Sequence, residues 1–383
     1  MKVLVMCLGD LSSNPRANRI IRLLSGKGYS VDALSHLFFG DLPVVKLFAI
    51  PLASQRCTSK IWRILLGAMT SLLLRVNKYP KGLAIWVNDH RHQIQNFEKQ
   101  IGGKIYDLIV VEDLQLLPLA FRISKSGKVL FDAREFYTRQ NEESLKFNLF
   151  EYPFRNFICR EFLNKCDYLV TVSPGLADAY RADFGVDMDI VRSTPNYREM
   201  PVIRTRQGQI RMVHHGIANT NRGLHNMINV VRRLDSRFTL DLYLVGNDRK
   251  IAMLKQVAEG CDRVCFRTPV RFDKIVSMLN HYDVGFYYLE PKGFNVTFNL
   301  PNKFFEFIQA RLAVAIGPSP NMAELINQYS CGFVADEFSI DAMVQTLQVL
   351  TPEQIDQAKY NSALAAKELC YEKESMKLLK LIN

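Results

Sequence analysis

IRMVHHGIANTNRGLHNMINVVRRL (Ile210–Leu234) decides the fold. An apolar strand pattern over Ile210–Gly216 runs into a polar loop, and Arg222-Gly223 then opens a helix over Leu224–Leu234. The same rhythm stands at the start of the chain, where the strand KVLVMC (Lys2–Cys7) is followed by the loop LSSNPRANR and a helix to about Lys27. Between these two beginnings lie Tyr29–Ser35, Tyr106–Glu112, Lys128–Asp132 and Tyr168–Ser173, each a short apolar run followed by a helical pattern. After the restart come Thr239–Gly246, Arg263–Arg267, Asp283–Leu289 and Leu312–Gly317. Continuous apolar runs alternating with helices indicate parallel sheets covered on both faces. The fold class is therefore α/β, with two successive open sheets.

The restart predicts domains over 1–196 and 210–360. The Pro- and Arg-rich stretch DIVRSTPNYREMPVIRTRQGQ holds the linker, near Asn196–Gln209. Residues Pro352–Asn383 read as helical, capped by Thr351, and the end of the chain (361–383) is expected to pack back on the first domain. Open α/β sheets bind ligands at the carboxyl ends of their strands, so the expected site lies between the two domains.

At 383 residues, 48% hydrophobic and 23% charged, the chain is globular and long enough for two cores. Its formal charge of +11 favours anionic partners. No nucleic-acid-binding signature accompanies that charge, so nucleic acid is not expected as a partner. MKVLVMCLGD reads as a first strand and not an export signal, and the scattered cysteines read as buried reduced thiols, which points to the cytoplasm. No metal site is expected: Cys261 and Cys265 lack a second pair, and His214 and His215 read as strand residues.

IWRILLGAMTSLLLRV (Ile61–Val76) is too short for the ~20 residues of a spanning helix. Arg56, Lys60, Arg63, Arg75, Lys78 and Lys81 flank or interrupt it. Two readings stay open for 56–81: a helix lying on an anionic membrane surface, which would make the protein peripheral on the inner face of the plasma membrane, or a core helix of the first domain.

Five segments carry candidate chemistry, all in loops after strands. In LSSNPRANR, Asn14 precedes a helix start and Arg16 and Arg19 lie on its opening turn, suited to an anion or to sugar hydroxyls; plain capping by Ser12, Ser13 or Asn14 is the alternative. In VVEDLQLLPLA, Asp113 is an N-cap or a site carboxylate, capping being the commoner case. LFDAREFY sets Asp132, Arg134 and Glu135 directly after a strand, as a site or an internal ion pair. In HHGIANTNRGLHNM, Gly216 permits close backbone approach, Arg222 supplies charge and Gly223 opens the helix, a diphosphate-binding layout. Finally, FNLPNKFFEFIQARLAVAIG places Asn302 and Lys303 in the first turn of a helix and Glu306 three residues on. Phe304, Phe305, Phe307 and Ile308 would anchor that helix, leaving Glu306 to accept from a ribose diol; a lone surface Glu is the alternative.

In this order the segments resemble the retaining GT-B glycosyltransferases, in particular glycosyltransferase family 4. The likeness runs from NPRANR to CGFVAD near Cys331. YDLIVVEDLQLLPLA and KVLFDAREFY resemble the family's segments ending in His-Asp-Leu and Asp-Ala-His-Glu. CDYLVTVSPGLADAY, RGLHNMINVV and LPNKFFEFIQARLAVAIG resemble its last N-domain strand and helix, its diphosphate loop and its donor-binding helix.

The resemblance implies two Rossmann-like domains facing across a cleft and a nucleotide-sugar co-substrate, UDP- or GDP-linked, with no separate cofactor. It implies that Glu306 binds the ribose and that Arg222 and Lys303 bind the diphosphate. The loop Thr268–Arg271, with Val270, would meet the base through its backbone. Asp132, Arg134 and Glu135 would lie beside the transferred sugar, with Asp113 in the same catalytic group and Arg16 near the acceptor or the phosphates. It further implies a glycan or lipid-linked acceptor and a role in bacterial surface-polysaccharide synthesis. The chain departs from the pattern at Phe298, where many members have Glu, and at Arg134, where many have His. Two alternatives follow: a catalytically degenerate partner subunit of a glycan-assembly complex, or a GT-B nucleotide-sugar epimerase.

Overall fold

The computed structural model describes residues 1–11, 14–36, 42–50, 57–75, 81–218 and 223–383. The chain divides into two compact units. The first comprises Met1–Val191 with Gly293–Asn295 and Leu378–Asn383, the second Arg192–Lys292 with Val296–Lys377.

The first unit is built on seven described strands: β1 (Lys2–Met6), β2 (Ser30–Ser35), β3 (Lys46–Ala49), β4 (Leu108–Val111), β5 (Lys128–Ala133), β6 (Tyr168–Thr171) and β7 (Asp189–Ile190). They pair in parallel in the order β3-β2-β1-β4-β5-β6-β7. The central strands are apolar on both faces because helices cover both: Val3, Leu4, Ile109, Val110, Leu130 and Phe131 are all buried. β3 and β7 had no counterpart in the sequence pattern. Each lies at a sheet edge, where one face of pairing is missing and apolar residues are fewer.

The second unit repeats the plan with β8 (Ile210–Ile217), β9 (Phe238–Val245), β10 (Val264–Arg267), β11 (Val284–Tyr287), β12 (Ala313–Ile316) and β13 (Gly332–Val334). The order is β10-β9-β8-β11-β12-β13, again parallel throughout. In each sheet the first strand sits in the middle, and the order reverses beside it, between β1 and β4 and between β8 and β11. Such reversals leave a crevice outside the carboxyl ends of the strands, where open α/β sheets hold their ligands.

Residues 192–209 form no regular element, but they are tied to the second unit. Arg198 N donates to Gln309 Oε1 at 3.4 Å, Thr205 N to Asp356 Oδ1 at 2.8 Å, and Pro201 O accepts from Asn280 at 3.0 Å. The C-terminal stretch is two helices, Pro352–Glu368 and Tyr371–Ile382, rather than one. Thr351 and Gln354 form a reciprocal capping box at the start. Lys359 reaches the buried Asp283 at 3.0 Å, so the first of these helices belongs to the second sheet. The second unit thus continues to Lys377, beyond the division expected at 361. Leu378 and Ile382 lie in the core cluster of the first unit with Val3, Leu24 and Val31.

The apolar-basic segment forms the helix Cys57–Arg75, and no helix among the described residues is long and apolar enough to cross a membrane.

Candidate functional site

Each unit carries one cluster of polar side chains at the carboxyl ends of its central strands. In the first unit the cluster begins at Asn14, whose extended backbone and side chain cap the helix Pro15–Gly26. Its Oδ1 accepts from the amides of Arg16 and Ala17, both at 3.2 Å. The capping alternative therefore holds for Asn14, yet the same side chain does more: its Nδ2 donates to Glu112 Oε2 at 2.6 Å. Ser12 and Ser13 lie outside the described residues. Arg16, 7% exposed, donates through Nε to Asp132 Oδ2 at 2.6 Å. Arg19 lies half-buried on the same helix.

Asp113 does not cap. It opens the short turn Leu114–Leu116 but makes no capping bond; its carboxylate accepts instead from Leu8 N at 2.7 Å and from Arg134 at 3.2 Å. The commoner capping role is not taken here, because the carboxylate is engaged by the Leu8 amide in the loop after β1 and by Arg134. Arg134 also lies 3.8 Å from Glu112. The ion pairs of DAREFY are not internal to that segment: Asp132 pairs with Arg16, and Arg134 with Asp113 and Glu112.

Glu112, in VVEDLQLLPLA, is a site residue that the sequence pattern alone does not mark. It is fully buried, and burial followed by the nearby Asp132 and Asp113 pushes its carboxyl up to about 7, against the pull of Arg134 and Arg16. An acidic residue closing a wholly apolar strand was the available signal. Glu112 Oε1, Asp132 Oδ1 and Glu135 Oε2 are buried without a hydrogen-bond partner. Burial likewise raises the Glu135 carboxyl. Four acidic side chains thus lie beside two arginines in a largely buried setting, an arrangement with acceptor capacity for the hydroxyls of a polyol.

Beside it, Gly293–Asn295 returns from far along the chain. Phe136 N donates to Asn295 Oδ1 at 2.6 Å, and Asn295 Nδ2 donates to Phe136 O at 3.0 Å. Sequence pattern gave no sign of this clasp, because its partners are separated by 159 residues.

In the second unit the cluster forms where β8 meets the helix Asn302–Gln309. Phe304, Phe305, Phe307 and Ile308 are fully buried, as their pattern predicts. Lys303 and Glu306 are buried too, at 8% and 4% exposure, so the alternative of a lone surface Glu does not hold. His214 Nδ1 faces the carbonyl of Phe286 at 2.9 Å and must carry the proton. Nε2 then presents its lone pair to Lys303 Nζ, 3.3 Å away. The same Nζ donates to His215 O at 2.7 Å. Glu306 Oε2 lies 3.2 Å from His215 Nε2, within ion-pair distance but off the axis of a hydrogen bond. The two histidines are strand residues, as expected, and they hold the two charges of the helix.

Gly216 sits directly above, with φ +133°, and a Cβ there would come 2.7 Å from Lys303 Nζ. Gly223, at φ +59°, caps the helix Leu224–Arg233. Asn302 is the first residue of its helix, with Pro301 at the cap. Val270 lies in the loop after β10, 36% exposed. Arg222 lies outside the described residues. Phe298 stands where the resemblance implies a carboxylate, and its carbonyl accepts from Asn321 at 2.6 Å. Among the described residues no group of three or more His, Cys, Asp and Glu side chains could hold a metal ion.

Two parallel six- and seven-stranded α/β units with this connectivity are the GT-B fold. Solved glycosyltransferase structures superpose over the whole chain. WaaG, a glycosyltransferase involved in lipopolysaccharide biosynthesis, matches at 13% identity and TM-score 0.68, covering 100% of this chain and 99% of its own. Sucrose-phosphate synthase from Thermosynechococcus elongatus matches at 12% identity and TM-score 0.69, covering 100% and 98%. An E. coli trehalose-6-phosphate protein solved with UDP-2-fluoro glucose matches at 10% identity and TM-score 0.67, covering 100% and 99%. No family model matches the chain, and no curated protein sequence matches it significantly.

Proposed function

We propose that this protein is a glycosyltransferase that moves a sugar from a nucleotide-sugar donor to a glycan or lipid-linked acceptor. The observation that carries the reading is the turn Lys303–Glu306, buried against His214 and His215 at the carboxyl end of β8. A nucleotide diphosphate needs a cation and a close backbone, which Lys303 and the glycines at 216 and 223 supply; a ribose needs a carboxylate, which Glu306 supplies. The solved structure with UDP-2-fluoro glucose, similar over the whole chain, supports a UDP-linked donor, with a GDP-linked one as the alternative.

In this reading charge develops on the leaving diphosphate and meets Lys303 and the amides that open the helix Leu224–Arg233. The acceptor hydroxyl attacks on the face the diphosphate leaves, passing its proton to the departing phosphate, so the sugar's configuration is retained. The acids Glu112, Asp132 and Glu135 of the first unit have the acceptor capacity to hold sugar hydroxyls. Surface-polysaccharide synthesis in a bacterial cytoplasm is the setting this chemistry suits, and the likeness to WaaG favours it.

The test is thermal stability of wild type and Glu306→Gln with UDP, GDP and CMP. A nucleotide at about 100 times its dissociation constant adds about 2.7 kcal/mol. A shift with UDP or GDP that the variant loses supports the reading. No shift with any of the three counts against it and favours a partner subunit without turnover, a reading that fits the engagement of Arg134 by Asp113 and Glu112.

A further inference from the structure

The helix Cys57–Arg75 packs with its polarity reversed. Among residues 64–75 of the helix, those buried against the first unit are Gly67, Thr70, Ser71 and Leu74. Four of its large apolar residues point outward, Ile64 at 61%, Leu65 at 58%, Met69 at 52% and Leu72 at 64% exposure. These recur at helical spacing, so they form one stripe along one face. A soluble helix ordinarily buries such a stripe.

The stripe continues past the helix end. Ser71 Oγ donates to Leu149 O and Arg75 to Asn148 O, tying the helix to a neighbouring segment whose Leu145, Leu149 and Phe150 are also exposed. At that junction lies a cavity of about 510 Å³, lined by Arg75 and Arg160 with Tyr152 and Asn156. In sequence, Arg56 to His92 holds seven Lys and Arg residues and a single acid, Asp89; of these cations Lys81 pairs with Glu161 and Arg91 with Glu151. Asp89 is engaged by Arg122.

We infer that this face is a docking surface for an anionic phospholipid bilayer, the stripe entering the acyl boundary and the Arg75–Arg160 cavity taking a headgroup phosphate. An outward apolar stripe running to a cavity that holds two arginines matches the border of headgroup and hydrocarbon. A second copy is disfavoured as the occupant, because it would bring the same cations against these. The inference stands apart from the donor reading, since the face shares no residue with the Lys303–Glu306 cluster.

The experiment is co-sedimentation of the full chain with vesicles of phosphatidylcholine alone and of phosphatidylcholine mixed with phosphatidylglycerol. Binding to the mixed vesicles is expected, falling as salt is raised. Leu65→Gln with Leu72→Gln weakens it about tenfold, and Arg160→Glu weakens it on mixed vesicles by a similar factor. Both variants keep the wild-type melting temperature, because all three side chains are exposed. Absence of binding to either vesicle overturns the inference, as does equal binding by wild type and both variants. A dimer in solution that Leu65→Gln with Leu72→Gln dissociates also overturns it, assigning the face to a second copy.

Discussion

Arg16 and Asp132, 116 residues apart in sequence, meet at 2.6 Å in an ion pair whose side chains are 8% and 1% exposed. The pair fastens the opening turn of the first helix to the end of β5. A buried pair adds little over an apolar substitute, but removing one partner strands a charge, at a cost of about 3–5 kcal/mol. Arg16→Ala is therefore expected to lower unfolding stability by that amount. Arg16→Ala with Asp132→Ala should cost clearly less than the two single changes added together. Urea unfolding of the four proteins checks this, and strict additivity would show that the two side chains do not act as a pair.

Glu112 makes stability depend on pH in the unusual direction. Its folded value, about 7, lies above that of an exposed glutamate, so between these values the folded protein keeps a proton that the unfolded chain has lost. Stability from this group is fully present below the unfolded value and declines as pH rises through the folded one. Melting temperature should fall from about pH 5 to about pH 8, and Glu112→Gln, which keeps the Asn14 contact without the charge, should flatten the fall. A slope unchanged in Glu112→Gln would assign it to other groups.

The central strands were legible because burial on both faces writes an unbroken apolar run, and the helix Asn302–Gln309 because four large apolar residues follow one cap. The candidate site was legible only in part. LFDAREFY announced its charges, but the partners of Asp132 and Arg134 came from Arg16 and Asp113, more than twenty residues away, and nothing local encodes which pairs form. Asp113 looked like a cap because capping is a local pattern, while its bond to Leu8 depends on two parallel strands ending side by side. His214 and His215 read as strand residues and are; that they grip Lys303 and Glu306 depends on a helix packed from 88 residues further on.

The reversed helix offers a direct contrast. By composition Leu72 should matter and Thr70 should not. The structure exposes Leu72 at 64% and buries Thr70 completely. Leu72→Gln is expected to change stability by no more than about 0.5 kcal/mol. Thr70→Leu adds volume to a closed contact and should cost about 1–3 kcal/mol. Chemical denaturation of the two variants decides it. A larger loss from Leu72→Gln would mean that the stripe is buried in the free protein.

Gly216 and Gly223 both have positive φ, but they should respond differently to a side chain. At Gly223, φ is +59°, within reach of asparagine, and the nearest atoms to a Cβ are 3.6 and 3.8 Å away. Gly223→Asn is expected to cost at most about 1 kcal/mol. At Gly216, φ is +133°, where side chains are strained, and the Cβ would press on Lys303 Nζ at 2.7 Å. Lys303 could yield only by disturbing its contacts with His215 O and His214 Nε2. Gly216→Ala should cost about 1–3 kcal/mol from backbone strain alone. It should also abolish the stabilisation by UDP or GDP, since the displaced ammonium is the one assigned to the diphosphate. Urea unfolding with and without nucleotide separates the two effects. A Gly216→Ala protein that is destabilised yet still gains the full nucleotide shift would remove Lys303 from the donor site and leave the glycine a purely structural role.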